Sequence, residues 1–91
     1  MIDAVRFEEL RAEIGDEDLR MILDVYLEEA EQMLDGIGPE MDPAERSRAL
    51  HFLRSGALNL GLRGIAGAAV DGGGTEAIRA AFAATRRELP A

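Results

Sequence analysis

DEDLRMILDVYLEEAEQMLDGIGP, Asp16 to Pro39, carries the longest helical pattern in this chain. Asp16 suits an N-cap, and Glu17 and Asp18 place negative charge in a first turn, where the helix dipole favours it. Apolar side chains then recur at Leu19, Ile22, Leu23, Tyr26, Leu27, Ala30, Met33, Leu34 and Ile37. That spacing follows one face of an amphipathic helix, with Glu28, Glu29, Glu31 and Asp35 turned away from it. Gly36 and the pair Gly38-Pro39 end the pattern.

Working outward, a shorter amphipathic segment precedes it from about Asp3 to Ile14. Val5 or Phe7 lies on one side with Leu10 and Ile14, and Gly15 stops the run. Downstream, Asp42-Pro43-Ala44-Glu45 combines an N-cap, a proline at the first helical position and an acid at the third. The helix it opens carries Ala49, Leu50, Leu53, Ala57 and Leu60 and reaches at least Gly56. Gly61 marks a break or kink. A further helical stretch is expected from Leu62 to about Val70, with Leu62, Ile65, Ala66 and Ala69 as its apolar side. Asp71 to Gly74 reads as a turn, and Thr75 caps a last helix, Glu76 to Glu88, with Ile78, Ala81, Phe82 and Thr85 inward and Pro90 ending it. Short connections favour antiparallel neighbours. The predicted architecture is all-α: an up-and-down four-helix bundle with a short additional N-terminal helix, one domain over residues 1–91.

Composition agrees with helices and excludes several functions. Apolar residues make up 47% of the 91 residues and aromatics 4%, and no run of alternating β-branched residues signals a strand. Without cysteine there is no disulfide framework and no thiolate metal site. The opening Met-Ile-Asp-Ala-Val lacks a secretory pattern, and no apolar run approaches the roughly 20 residues that span a bilayer, so a cytoplasmic protein with no membrane partner is expected. The initiating methionine and compact ending favour a free-standing protein. A net charge of −8 opposes nucleic acid. Residues 1–40 hold 13 acidic and 3 basic side chains, whereas residues 41–91 hold 5 acidic and 7 basic ones, and every basic residue is arginine.

Three motifs read as structural. Gly61, Gly64 and Gly67 lack the spacing and the preceding strand of a dinucleotide fingerprint, so they point to close approach of helix backbones. Gly72-Gly73-Gly74 lacks the lysine and hydroxyl residue of a phosphate loop. Glu28, Glu29 and Glu31 sit on an outer face with no histidine partner, which leaves a carboxylate metal bundle as a weak third reading. No metal is expected in the chain itself.

His51, the only histidine, is different. At about 100° per residue, with His51 at zero, Leu50 falls near −100°, Leu53 near −160°, Ala57 near −120° and Leu60 near 180°. The core stripe is therefore centred about 130–140° away, and the imidazole points to solvent. Around it lie Ser47 near about −40°, Arg48 near +60°, Arg54 near −60°, Ser55 near +40° and Leu58 near −20°. Phe52, near about +100°, either wedges against a neighbouring helix or joins the exposed surface. No acid falls on that strip. Neutral imidazole is a good nucleophile near pH 7, since its unperturbed pKa is about 6.5. A phosphoryl group on the ring would be dianionic, and Arg48 and Arg54 would offset that charge.

The stretch HFLRSGALNLG, His51 to Gly61, resembles the histidine-containing phosphotransfer (Hpt) motif, His-x-Leu-Lys-Gly-Ser-Ala-x-x-x-Gly. His51, Leu53, Ala57 and Gly61 match, and Arg54 keeps the charge at the lysine position. The segment from Phe7 to Leu34 also looks like the opening helices of such domains. The resemblance implies phosphorylation at His51 and exchange of the phosphoryl group with a histidine kinase or a response-regulator receiver domain. Arg54, Ser55 and Arg48 would support the phosphate, and Ser47, Phe52 and Leu58 would form the docking surface. It implies a monomeric phosphocarrier with no cofactor of its own, the receiver bringing Mg²⁺, rather than a turnover enzyme. The alternative is a non-phosphorylated module that docks receivers or kinases. Two departures bear on partner choice and rate: Ser55-Gly56 stands where the motif has Gly then Ser, and Arg54 replaces lysine with a planar fork.

Overall fold

The computed structural model describes residues 2–70 and 74–89. It is all-helical, with no strand among the described residues. Its elements are α1 (Ala4–Asp35), α2 (Pro43–Asn59), α3 (Arg63–Ala68) and α4 (Thr75–Glu88). One apolar cluster gathers side chains from all four, with Leu27, Leu34, Leu50, Leu53, Leu62, Ile65 and Ile78 fully enclosed.

The two segments expected on either side of Gly15 form the single element α1, kinked where Gly15 has φ 84° and ψ 164°. Only glycine adopts that region without strain. Asp3 caps the start, its carboxylate accepting from the Arg6 amide at 3.2 Å. Asp16 lies just past the kink and pairs with Arg11 at 2.6 Å, tying the two arms together. Phe7 and Leu10 are buried and Ile14 is half-buried, while Val5 is exposed.

Beyond the kink, Leu19, Leu23, Tyr26, Leu27, Ala30, Leu34 and Ile37 are buried as the pattern predicts. Ile22 is not; it is 43% exposed, and Met33 is half-buried. Both sit at the stripe's edge, Ile22 about 90° and Met33 about 70° from its centre. On the acidic face Glu28, Glu29 and Asp35 are exposed as expected, and Glu31 is half-buried. Glu31 and Asp35 face α4, where they pair with Arg86 and Arg79, each at 2.7 Å.

Helix α2 opens with Pro43 after Asp42, whose carboxylate makes no capping bond, so its contribution is backbone conformation alone. The helix ends in a Schellman motif. The Leu62 amide donates to the Ala57 carbonyl at 2.7 Å and the Gly61 amide to Leu58 at 3.3 Å, with Gly61 at φ 73°. The start of α1 is fastened to this turn. The Asp3 amide donates to the Gly61 carbonyl at 2.8 Å, and Arg6 Nε donates to the Asn59 carbonyl at 2.9 Å.

Helix α3 is shorter than the expected stretch, six residues from Arg63 to Ala68, because Ala69 leaves helical geometry at ψ 64°. Gly67 faces open space, so the close approach expected there is absent. At the start of α4 the cap position belongs to Gly74, and Thr75 is already the first helical residue. The turn expected at Asp71 to Gly73 and the stop at Pro90 lie outside the described residues. Ile78, Phe82 and Thr85 point inward as predicted.

Candidate functional site

His51 lies in the middle of α2 and is exposed, while Leu50, Leu53 and Ala57 of the same helix are buried. Helical geometry alone gives this placement: three apolar residues draw one face inward, and the imidazole is carried on the other. It stands over an open depression of about 790 Å³ lined by Ser47, Arg48, Leu50, His51, Phe52, Arg54, Ser55, Ala69 and Val70. Of the residues singled out from sequence, Ser47, Arg48, His51, Phe52, Arg54 and Ser55 therefore meet at one place. Leu58 does not line the depression, though it is 52% exposed two turns further along α2. Phe52 is 42% exposed, so it joins the surface rather than wedging fully into the core.

The Ser55 hydroxyl lies 3.4 Å from His51 Nε2, one helical turn on. Arg48 and Arg54 flank the ring from α2, and both are exposed. Among the described residues, no carboxylate lines the depression. The site is thus an imidazole beside a hydroxyl and two positive charges, with Ser47 and the apolar Leu50, Phe52, Ala69 and Val70 completing the lining. Such a group can act as a nucleophile toward an anionic electrophile brought by another molecule. Among the described residues, no group of three or more His, Cys, Asp or Glu side chains is arranged to hold a metal ion. Nor is any described helix long and apolar enough to cross a membrane.

Sequence reasoning missed Leu50, Ala69 and Val70 as walls of the depression. Val70 is 44% exposed because α3 stops short of it. No local signal shows that these residues come beside His51, since the approach depends on how α3 turns back after Gly61.

It also missed why glycine stands at 56. Tyr26 of α1 packs on Gly56, where a Cβ would overlap its ring, Cε1 first and Cδ1 at 3.0 Å. The Tyr26 hydroxyl donates to the Leu53 carbonyl at 2.6 Å, and burial pushes its phenol well above the ordinary range. A residue with a side chain at 56 would displace that ring. Packing therefore requires glycine at 56.

No family model, no curated protein and no solved structure matches the chain.

Proposed function

We propose that the protein is a phosphorelay carrier of the Hpt type, an up-and-down four-helix bundle that carries a phosphoryl group on His51. The observation that supports this reading most is the exposed imidazole set between Arg48 and Arg54, with no carboxylate among the described residues that line the depression beside it. A lone pair of the ring attacks the phosphorus of a receiver's aspartyl phosphate. An N–P bond forms, the P–O bond to the aspartate breaks, and the electron pair stays on the departing carboxylate. Onward transfer reverses these steps. The arginines oppose none of the charge that arrives, whereas an acid would.

The remaining groups belong to the partner. A receiver supplies the acyl phosphate and Mg²⁺, and a histidine kinase feeds the relay. The chain then acts as a cytoplasmic, monomeric phosphocarrier without a cofactor. The open depression leaves room for a partner's active site to close over the ring, with Ser47, Phe52 and Leu58 available for contact. Exposure of Phe52, Leu58 and Val70 around the site favours a second reading, a docking module that binds receivers without accepting phosphate.

One experiment separates them. The protein is incubated with a panel of phosphorylated receivers, and an acid-labile, alkali-stable label is sought on the native chain and on His51→Gln. Label on the native chain alone supports the carrier. Equal labelling of both overturns it, and binding without label favours the docking module. In the same assay Arg54→Ala is expected to slow transfer while changing stability by no more than about 0.5 kcal/mol, as an exposed position does. Unfolding of that variant would contradict its placement on the solvent face.

A further inference from the structure

Helix α1 sends apolar side chains outward as well as inward. With Met21 at zero and about 100° per residue, Val25 falls near +40° and Ile22 near +100°, whereas Leu19, Leu23, Tyr26, Leu27, Ala30 and Leu34 centre near −170°. Met21 and Val25, 59% and 49% exposed, thus lie on the side of α1 turned away from the core, with the exposed Ile22 on its shoulder. Asp18 stands one turn before this strip and Glu28 and Glu29 one turn after it, at the three- and four-residue spacings that neighbour it on a helix surface. All three acids are exposed. Acids on the flank of α1 that meets α4 are paired, Glu31 with Arg86 and Asp35 with Arg79. Among the described residues, no arginine pairs with Asp18, Glu28 or Glu29. The depression at His51 is lined by other residues.

We propose that this outer face of α1 docks a cationic amphipathic helix of a partner protein, whose apolar stripe covers Met21, Ile22 and Val25 and whose Lys or Arg side chains pair with Asp18, Glu28 and Glu29. The surface is separate from the depression and holds whether or not His51 carries phosphate. From Asp18 to Glu29 it runs about 16 Å along the axis, three helical turns. A helix with an apolar residue at every third or fourth position presents a stripe of matching pitch, and basic residues beyond its ends meet the acids. Burial of the apolar strip supplies the drive, and the unpaired acids set the register and select the partner. Charge also decides against other occupants. An anionic lipid surface or a nucleic acid would meet like charge along the whole strip. A second copy packed through the same face would set these acids against each other, in a chain whose net charge is already −8.

The probe is a short synthetic helix of Leu and Lys with leucines at three- and four-residue spacing, compared with a scrambled peptide of the same composition. In a fluorescence-anisotropy titration the amphipathic peptide should bind the full chain at least about tenfold tighter than the scrambled one, and more weakly as salt is raised. Met21→Ser combined with Val25→Ser should weaken binding about tenfold or more, and Glu28→Gln combined with Glu29→Gln about two- to tenfold. Val5→Ser, which removes an exposed apolar side chain from the other arm of α1, should leave it unchanged. All these positions are exposed, so the variants should keep the native circular dichroism. Amide ¹⁵N shifts on adding the peptide should cluster at residues 18–29. Equal affinity for the two peptides, or binding untouched by the Met21 and Val25 changes, overturns the proposal. Shifts centred on residues 47–55 overturn it by placing the peptide in the depression. Self-association of the free chain, or sedimentation with phosphatidylserine vesicles, that the Met21 and Val25 changes abolish overturns it by giving the face to a second copy or to lipid.

Discussion

Gly56→Ala is the substitution on which ordinary helix rules and this packing disagree. In an exposed helix interior the change stabilises by about 1 kcal/mol. Here the new methyl group would overlap Tyr26 Cε1 and sit 3.0 Å from Cδ1. The ring cannot swing away freely, because its hydroxyl is fastened to the Leu53 carbonyl at 2.6 Å and the side chain is buried. Overpacking of this kind costs about 1–3 kcal/mol, and weakening the buried hydroxyl bond adds about 0.5–1.5 kcal/mol. After subtracting the helix-propensity gain, a net loss of about 2 kcal/mol is expected. For a domain of this size that lowers Tm by about 8–16 °C. Thermal and urea unfolding followed by circular dichroism measures it, with Gly56→Ala repeated in a Tyr26→Ala background, where the clash is gone and the methyl group should stabilise. A higher Tm for Gly56→Ala in the native background would refute the packing argument.

Two further predictions follow from buried oxygens. Burial raises the pKa of Tyr26, so between about pH 10 and its folded value the unfolded chain releases a proton that the folded chain retains. Stability should therefore fall by about 1.4 kcal/mol per pH unit in that window. The chain has no lysine or cysteine and only this tyrosine, so urea midpoints from pH 9 to 11 should decline for the native protein and stay nearly flat for Tyr26→Phe. Equal slopes would contradict the assignment. Thr85 is fully buried and its hydroxyl oxygen has no partner among the described residues, so Thr85→Val should raise stability by about 1 kcal/mol, measured as a rise in Tm; a fall would mean that the hydroxyl has a partner.

Much of the helix content was legible because it rests on local periodicity. Leu19, Leu23, Leu27, Ala30 and Leu34 repeat at three and four residues, and that spacing leaves one buried face wherever the helix packs. The outward bearing of His51 followed in the same way from Leu50, Leu53 and Ala57. What escaped depends on neighbours distant in sequence. Ile22 and Met33 lie at a stripe edge, where the closeness of the next helix decides burial. The walls that Ala69 and Val70 give the depression depend on where α3 ends. The preference for glycine at 56 depends on a ring 30 residues upstream, and neither residue signals the other locally. Gly67 shows the converse error, since a repeat of glycines suggested crowding at a position that faces open space.

The fastening of α1 to the end of α2 has a mechanical consequence. Two packed helices can slip past one another by one turn, about 5.4 Å, and a slipped helix can also roll about its axis. Here α2 is held against α1 at two levels: Tyr26 grips its middle through Leu53 and Gly56, and Asp3 and Arg6 grip its last turn through Gly61 and Asn59. Two separated points of attachment suppress both sliding and rolling. The compass heading of the His51 ring is therefore set from α1, by residues that never touch it, and the depression around it can vary in sequence without turning the imidazole away from an approaching molecule.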